Sequence, residues 1–269
     1  MVKKKITKVG IFDSGAGGLT VLKKLRKNLK GTEFYYLGDT ARLPYGTKSS
    51  ETIINYTLQN TKFLLKKGIE LLIVACNTAS AYAVNYLKKE FDIPVYGVIE
   101  PGAKKAVNTT KNKKIGVIAT SATVKSNSYP EAVNKLCKDC EVFSNPAPLL
   151  VPLVEEGMIE GEIAEKIVSI YLNPLLQKGI DTLILGCTHY PVMKKTIGKI
   201  AGDDIKLVDS ATPILEILKK SFSLPKDGEN RTEIYVTDYP ENFGKLSERF
   251  LEGNFDKIEH IDLRNLGVK

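Results

Sequence analysis

The chain lacks any apolar run approaching the roughly 20 residues that a membrane-spanning helix requires. Its start, MVKKKITKVGIF, is basic but has no adequate apolar core and no small-residue cleavage site, so no signal peptide is read and a cytoplasmic protein is expected. Cysteine is scarce: four in 269 residues are too few for a disulfide scaffold, and a cytosol keeps them reduced. Cys137 and Cys140 form a single C-x-x-C without the second pair of a zinc site and without a thioredoxin context. No metal is expected there; two ordinary cysteines near a helix end are the simpler reading. The net charge is +8, but no arginine cluster or nucleic-acid motif accompanies it. That excess reads as a solvated, lysine-rich exterior rather than a nucleic-acid surface, with a mild field that draws in small anions. The remaining composition, 43% hydrophobic and 26% charged, is that of a soluble globular protein of one large or two ordinary domains.

The organising stretch is GIELLIVACNTAS, Gly68 to Ser80. Leu71 to Ala75 is a continuous apolar run of strand length, expected to be a parallel strand covered on both faces. Cys76 stands where that strand ends. Asn77 and Thr78, both good N-cap types, precede the helical pattern of Ala81, Val84 and Leu87. Ligands of open α/β sheets bind beyond the carboxyl ends of strands, so Cys76 is placed for chemistry.

The stretch recurs 111 residues later as GIDTLILGCTHYP, with Gly68, Ile69, Leu72, Ile73 and Cys76 matching Gly179, Ile180, Leu183, Ile184 and Cys187. KVGIFDS (Lys8 to Ser14) is echoed by KIGVIAT (Lys114 to Thr120), and IPVYGVIEP (Ile93 to Pro101) by IKLVDSATP (Ile205 to Pro213). Three echoes in one order indicate an internal duplication. The expected fold class is therefore α/β: two similar doubly wound α/β domains related by a pseudo-twofold axis, with the active site in the cleft between them. The expected division is 1–100 plus 210–269 for the first domain and 101–209 for the second, with crossovers at Pro101-Gly102 and Pro213. The tail should add a helix (Ile214 to Phe222), a strand at Glu233 to Val236, a helix after Pro240 and a strand at Ile258 to Asp262. His260 lies apart from every motif and reads as a surface residue.

Around the two cysteines, several loops carry chemistry. DSGAGG, Asp13 to Gly18, joins a first strand to a helix, a layout that aims backbone N–H groups at an anion. It is not a dinucleotide fingerprint, because Thr20 stands where the last glycine belongs. An anion such as a carboxylate is the better reading, with a tight turn that holds no ligand as the alternative. GDTARLPYG, Gly38 to Gly46, is long enough to be functional, and Tyr45-Gly46 can present a phenol and an N–H to the cleft. APLLVPLVEEG ends in Glu155 and Glu156, which read equally as cleft-facing acids or as helix-start acids.

Two thiols facing one molecule from opposite sides suit removal of a proton from one face of a carbon and its return to the other. An α-proton is a weak acid, so the site must stabilise charge on the carboxylate, through helix N-termini and the hydroxyls of Ser14, Thr78 and Thr188. A thiol with a pKa of about 8.5 is within reach of physiological pH. One base must be deprotonated and its partner protonated, the roles swapping with direction. His189 and Asp13 are placed to relay protons for Cys187 and Cys76.

The motifs GIFDSGAGGLTV, YLGDTARLPYG, VACNTAS, PLVEEG and GCTHYP, in that order, resemble those of the glutamate racemases of the aspartate/glutamate racemase superfamily. The resemblance implies a cofactor-independent interconversion of L- and D-glutamate that supplies peptidoglycan. It implies Cys76 as the base on D-glutamate and Cys187 as the base on L-glutamate, assisted by Asp13, Glu155 and His189. By the same resemblance Asp13-Ser14, Tyr45-Gly46, Asn77-Thr78 and Thr188-His189 hold substrate, and a homodimer is expected. The nearest rival is an aspartate racemase, in which an acid tends to follow the second Cys-Thr. A one-thiol decarboxylase, a two-domain binding protein and a thiol redox protein fit less well, because none needs two matched thiols.

Overall fold

The computed structural model describes residues 3–238, 247, 250–251 and 255–263. The first half runs β1 (Lys8–Asp13), α1 (Leu19–Asn28), β2 (Glu33–Gly38), α2 (Ser50–Lys66), β3 (Leu71–Val74), α3 (Asn77–Glu90) and β4 (Val95–Gly97). The second runs α4 (Ile99–Thr109), β5 (Lys114–Ala119), α5 (Ser121–Lys125), α6 (Ser128–Leu136), β6 (Glu141–Pro146), α7 (Leu150–Glu155), α8 (Glu162–Leu176), β7 (Thr182–Gly186), α9 (Lys194–Ala201) and β8 (Lys206–Val208). Then α10 (Ala211–Ser221) leads back to β9 (Arg231–Val236) and β10 (Lys257–His260). All pairings are parallel, in two sheets ordered β10-β9-β2-β1-β3-β4 and β6-β5-β7-β8.

Side chains of successive strand residues point to opposite faces, and both faces of each sheet are covered. In the first sheet Val9, Ile11, Leu71 and Ile73 pack with Leu19, Leu22 and Leu25 of α1 and with α10. Phe12, Leu72 and Val74 pack on the other face with Ile53, Leu58 and Leu64 of α2 and with Ala79, Val84 and Leu87 of α3. The second sheet repeats the scheme. Leu183 and Leu185 join α7 and α8, while Ile115, Val117 and Ile184 join α4 and α6. Continuous burial on both faces is why these strands read as unbroken apolar runs.

The duplication extends beyond the echoed sequences. Strands β2-β1-β3-β4 and β6-β5-β7-β8 share one order. Gly10 and Gly116 hold equivalent places; a Cβ on either would stand 2.5 Å from Cδ1 of Ile69 or Ile180. Gly68 and Gly179 take φ of 76° and 72°, a left-handed turn that suits glycine. Glu70 accepts the N–H groups of Thr7 and Lys8, and Asp181 those of Lys111 and Asn112.

Several expectations need correction. The strand expected at Val95 to Ile99 stops at Gly97, and Pro101-Gly102 lies inside α4 rather than in a linker. Proline in the first helical turn has no intrahelical partner to lose, so Pro101 and Pro213, each third in its helix, open α4 and α10. Cys137 and Cys140, expected to be reduced, form a disulfide across the turn between α6 and β6. The strand expected at Ile258 to Asp262 is shifted toward the N-terminus, and His260 on it is exposed as expected. The helix expected after Pro240 lies mostly outside the described residues. Among the described residues no helix is long and apolar enough to cross a membrane, and no cluster of His, Cys, Asp or Glu could hold a metal ion.

Candidate active site

In the shared strand order, successive strands are added on opposite sides of β1 and of β5, so the order switches between β1 and β3 and again between β5 and β7, and crevices open at such switch points. Asp13 ends β1 and Ser14 follows it, and Cys76 follows β3; Thr120 follows β5, and Cys187 follows β7. These ends meet in one small cavity of about 40 Å³. It is lined by both free cysteines together with Ser14, Gly46, Thr78 and His189. A volume of that size holds only a few waters.

Cys76 itself caps α3. Its Sγ accepts the Ala79 N–H at 3.5 Å, the place expected of Asn77 or Thr78, and stands 3.7 Å from Ser14 Oγ. Asn77 is thereby the first helical residue. Its amide oxygen accepts the Tyr129 hydroxyl at 2.7 Å, and its nitrogen donates to Ser210 at 3.3 Å. Thr78 Oγ1 lies 2.9 Å from Thr120 Oγ1 and 3.0 Å from Thr123 Oγ1, a hydroxyl cluster joining α3 to α5. Burial, reinforced by the charge of Asp13, pushes the Cys76 thiol up to about 12.

Cys187 has a different neighbour. Its Sγ lies 3.8 Å from His189 Nδ1, and His189 Nε2 lies 3.1 Å from Glu155 Oε1. Burial opposes charge on His189, but the hydrogen bonds to Cys187 and Glu155 outweigh it and raise the imidazole to about 10. The proton on His189 is thus favoured by charge on Cys187 and by Glu155. Glu155 is the last residue of α7 rather than a helix-start acid and lines the cavity, whereas the exposed Glu156 does not.

Asp13 bridges the halves. Oδ1 accepts the Thr188 hydroxyl at 3.2 Å and Oδ2 accepts the Gly15 N–H at 3.0 Å. Burial raises its pKa against the pull of His189 and of the Gly15 and Gly18 N–H groups. The glycine loop thus turns its N–H groups on the chain's own carboxylate. Tyr45 also departs from expectation. Its hydroxyl bonds Asp39 and Asn60, so Tyr45 lines the cavity without offering it a free phenol. Thr120, Thr123, Tyr129 and Ser210 were not singled out from sequence. Thr120 was legible as the duplicate of Ser14, whereas Tyr129 lies on a helix with no counterpart signal.

The chain belongs to the Asp/Glu/Hydantoin racemase family, whose sequence model matches residues 11–217. It is 48% identical to the glutamate racemase of Persephonella marina over 96% of this chain and 98% of that one. It is similar in structure to the glutamate racemase of Francisella tularensis solved in complex with D-glutamate, with a TM-score of 0.87, 39% identity, and 96% and 98% of the two chains covered. An aspartate racemase from Picrophilus torridus, 20% identical with a TM-score of 0.59 over 82% of this chain and 96% of that one, shares the fold alone. The aspartate alternative is thereby disfavoured.

Proposed function

We propose that the chain interconverts L- and D-glutamate with Cys76 and Cys187 as opposed acid and base. The observation that carries this reading is that two free cysteines, one beyond the third strand of each four-strand repeat, line the same cavity. In the D-to-L direction Cys76 thiolate takes the α-proton, the Cα–H electron pair spreads into the α-carboxylate, and the Cys187 thiol donates a proton to the opposite face. The reverse direction exchanges the roles, so no atom or electron is gained or lost. The Asp13 carboxyl, raised by burial, receives the Cys76 proton before that step. His189, held by Glu155, is the counter-ion for charge on Cys187 and returns its proton. The N–H groups that open α3 and the hydroxyls of Ser14, Thr78 and Thr188 hold the carboxylate on which charge develops.

The domain division belongs to the same reading: 1–100 with 210–269, and 101–209, meeting at the cavity. So does a cytoplasmic role supplying D-glutamate for peptidoglycan. A homodimer is supported by α8, where Ile163 and Ile170 are 57% and 65% exposed on one face. Sedimentation should give a dimer for the wild type and a monomer for Ile170→Glu; an unaltered dimer in the variant removes that face.

The test of the chemistry is L-glutamate in D₂O with no added cofactor, followed by polarimetry and by deuterium at Cα. The wild type should lose optical rotation as it gains one deuterium per turnover. Cys76→Ala and Cys187→Ala should each lose at least about 10²–10⁴-fold in rate, the usual contribution of a positioned acid or base, while still binding glutamate. Full turnover by either variant rejects the two-base scheme.

A further inference from the structure

Asp39 takes no part in the chemistry above, yet it is fully buried and heavily partnered. It stands just beyond β2, and its backbone N–H donates to the Asp13 carbonyl at 3.0 Å. Carboxylate Oδ1 accepts Arg42 Nε at 2.8 Å and Thr237 Oγ1 at 2.9 Å. Oδ2 accepts the Tyr45 hydroxyl and Asn60 Nδ2 at 3.3 Å, and pairs with Arg42 Nη2 at 2.8 Å. A carboxylate offers about four lone-pair sites, so this one is saturated. A buried charge persists only when paired and hydrogen-bonded in this way, and removal of one partner strands the rest.

The partners come from separate parts of the chain. Arg42 and Tyr45 belong to the connection after β2, Asn60 to α2, and Thr237 to the residue after β9. Arg42 is clamped further by the Tyr56 ring, 4.1 Å beneath its guanidinium. Held this way, the connection turns Leu43, Pro44, Tyr45 and Gly46 into one wall of the cavity. That wall has little slack. A Cβ on Gly46 would stand 2.8 Å from Thr120 Cβ, and one on Gly15 would stand 3.3 Å from Leu43 Cδ2.

We propose that Asp39 is a positioning residue for the substrate pocket. It touches no reacting atom; by gathering Arg42, Tyr45, Asn60 and Thr237 it fixes the Leu43–Gly46 wall against both Gly15 and Thr120. Through Thr237 the same carboxylate ties the returning strand β9 to the pocket, so the tail is part of the site's framework. This inference rests on the glutamate reading above and adds to it the device that shapes the pocket.

The test is steady-state racemisation in both directions by the wild type, Asp39→Asn, Tyr45→Phe and Thr237→Val. An interaction that holds substrate equally in ground and transition states raises KM and leaves kcat. Asp39→Asn should raise KM for both enantiomers roughly tenfold with kcat within about threefold, because an amide keeps one acceptor oxygen and turns its NH₂ on the donors that faced the other. Tyr45→Phe and Thr237→Val each remove one donor to Asp39 and the acceptor that Asn60 or Ala41 uses; both should keep the chain folded by circular dichroism and raise KM in the same direction by roughly two- to fivefold. Combining Thr237→Val with Asp39→Asn should add less than the sum, since both act on one network. Wild-type KM in Tyr45→Phe and Thr237→Val, or a fall in kcat at constant KM, overturns the proposal alone. A wild-type chain that leaves glutamate untouched overturns the functional reading and the proposal with it.

Discussion

The proton on His189 separates the surroundings of the two cysteines. With the imidazole at about 10 in the folded chain against an ordinary 6.5, folding binds a proton between those values. The resulting stabilisation is complete below about pH 6.5 and is lost as pH rises toward 10. Urea midpoints measured from pH 6 to pH 10 should therefore fall for the wild type. The fall should be smaller for His189→Asn, which carries no ionisable proton; equal slopes would remove His189 as the cause. At this scale the sequence was informative wherever a duplicated position or a family motif marked a residue. It was silent where a role depends on direction: Tyr45 was legible as a cleft residue, but not that its hydroxyl turns to Asp39. Nor did spacing separate Glu155 from Glu156, because the choice is made by the end of a six-residue helix packing beneath His189.

At the scale of elements, close approach between segments does what charge does at the residue. Gly17 sits against the turn after β7: a Cβ there would collide with Thr188 Oγ1 and stand 2.5 Å from His189 Nδ1. Gly17→Ala should displace the Thr188–His189 turn and lower kcat/KM by roughly 10²-fold, the scale of an ångström-sized misplacement, with its fold retained by circular dichroism. The Cys137–Cys140 disulfide spans only three positions at the far end of α6. A loop that short is worth about 2 kcal/mol in chain entropy at most. Cys137→Ser should accordingly lower unfolding free energy by about that amount or less and leave racemisation unchanged. Strand positions were readable because two-sided burial writes unbroken apolar runs. The start of α4 was not, because Ile99 continues the apolar run of β4 while already belonging to a helix.

For the whole molecule, the duplicated order of the sheets places two equivalent strand ends in one cavity, and this much followed from the echoes in sequence. The return of the tail was marked by Pro213 in the same echoes, but its place in the sheet was not. Among the described residues β9 and β10 have no counterpart in the second sheet, and their addition beside β2 depends on pairing across some 200 residues of chain. Such pairing leaves no local signal, only the alternation that any strand shows.

The polypeptide passes between the two halves twice, once from β4 into α4 and once from β8 into α10. These helices lie side by side, joined by Lys105 and Glu216 at 2.8 Å. That pair of helices is the covalent seam of the two halves, and the Thr188–Asp13 and Thr78–Thr120 contacts join them again across the cavity. Under the two-base proposal each sulfur belongs to its own half, so the separation of the two thiols follows from how the halves sit about that seam.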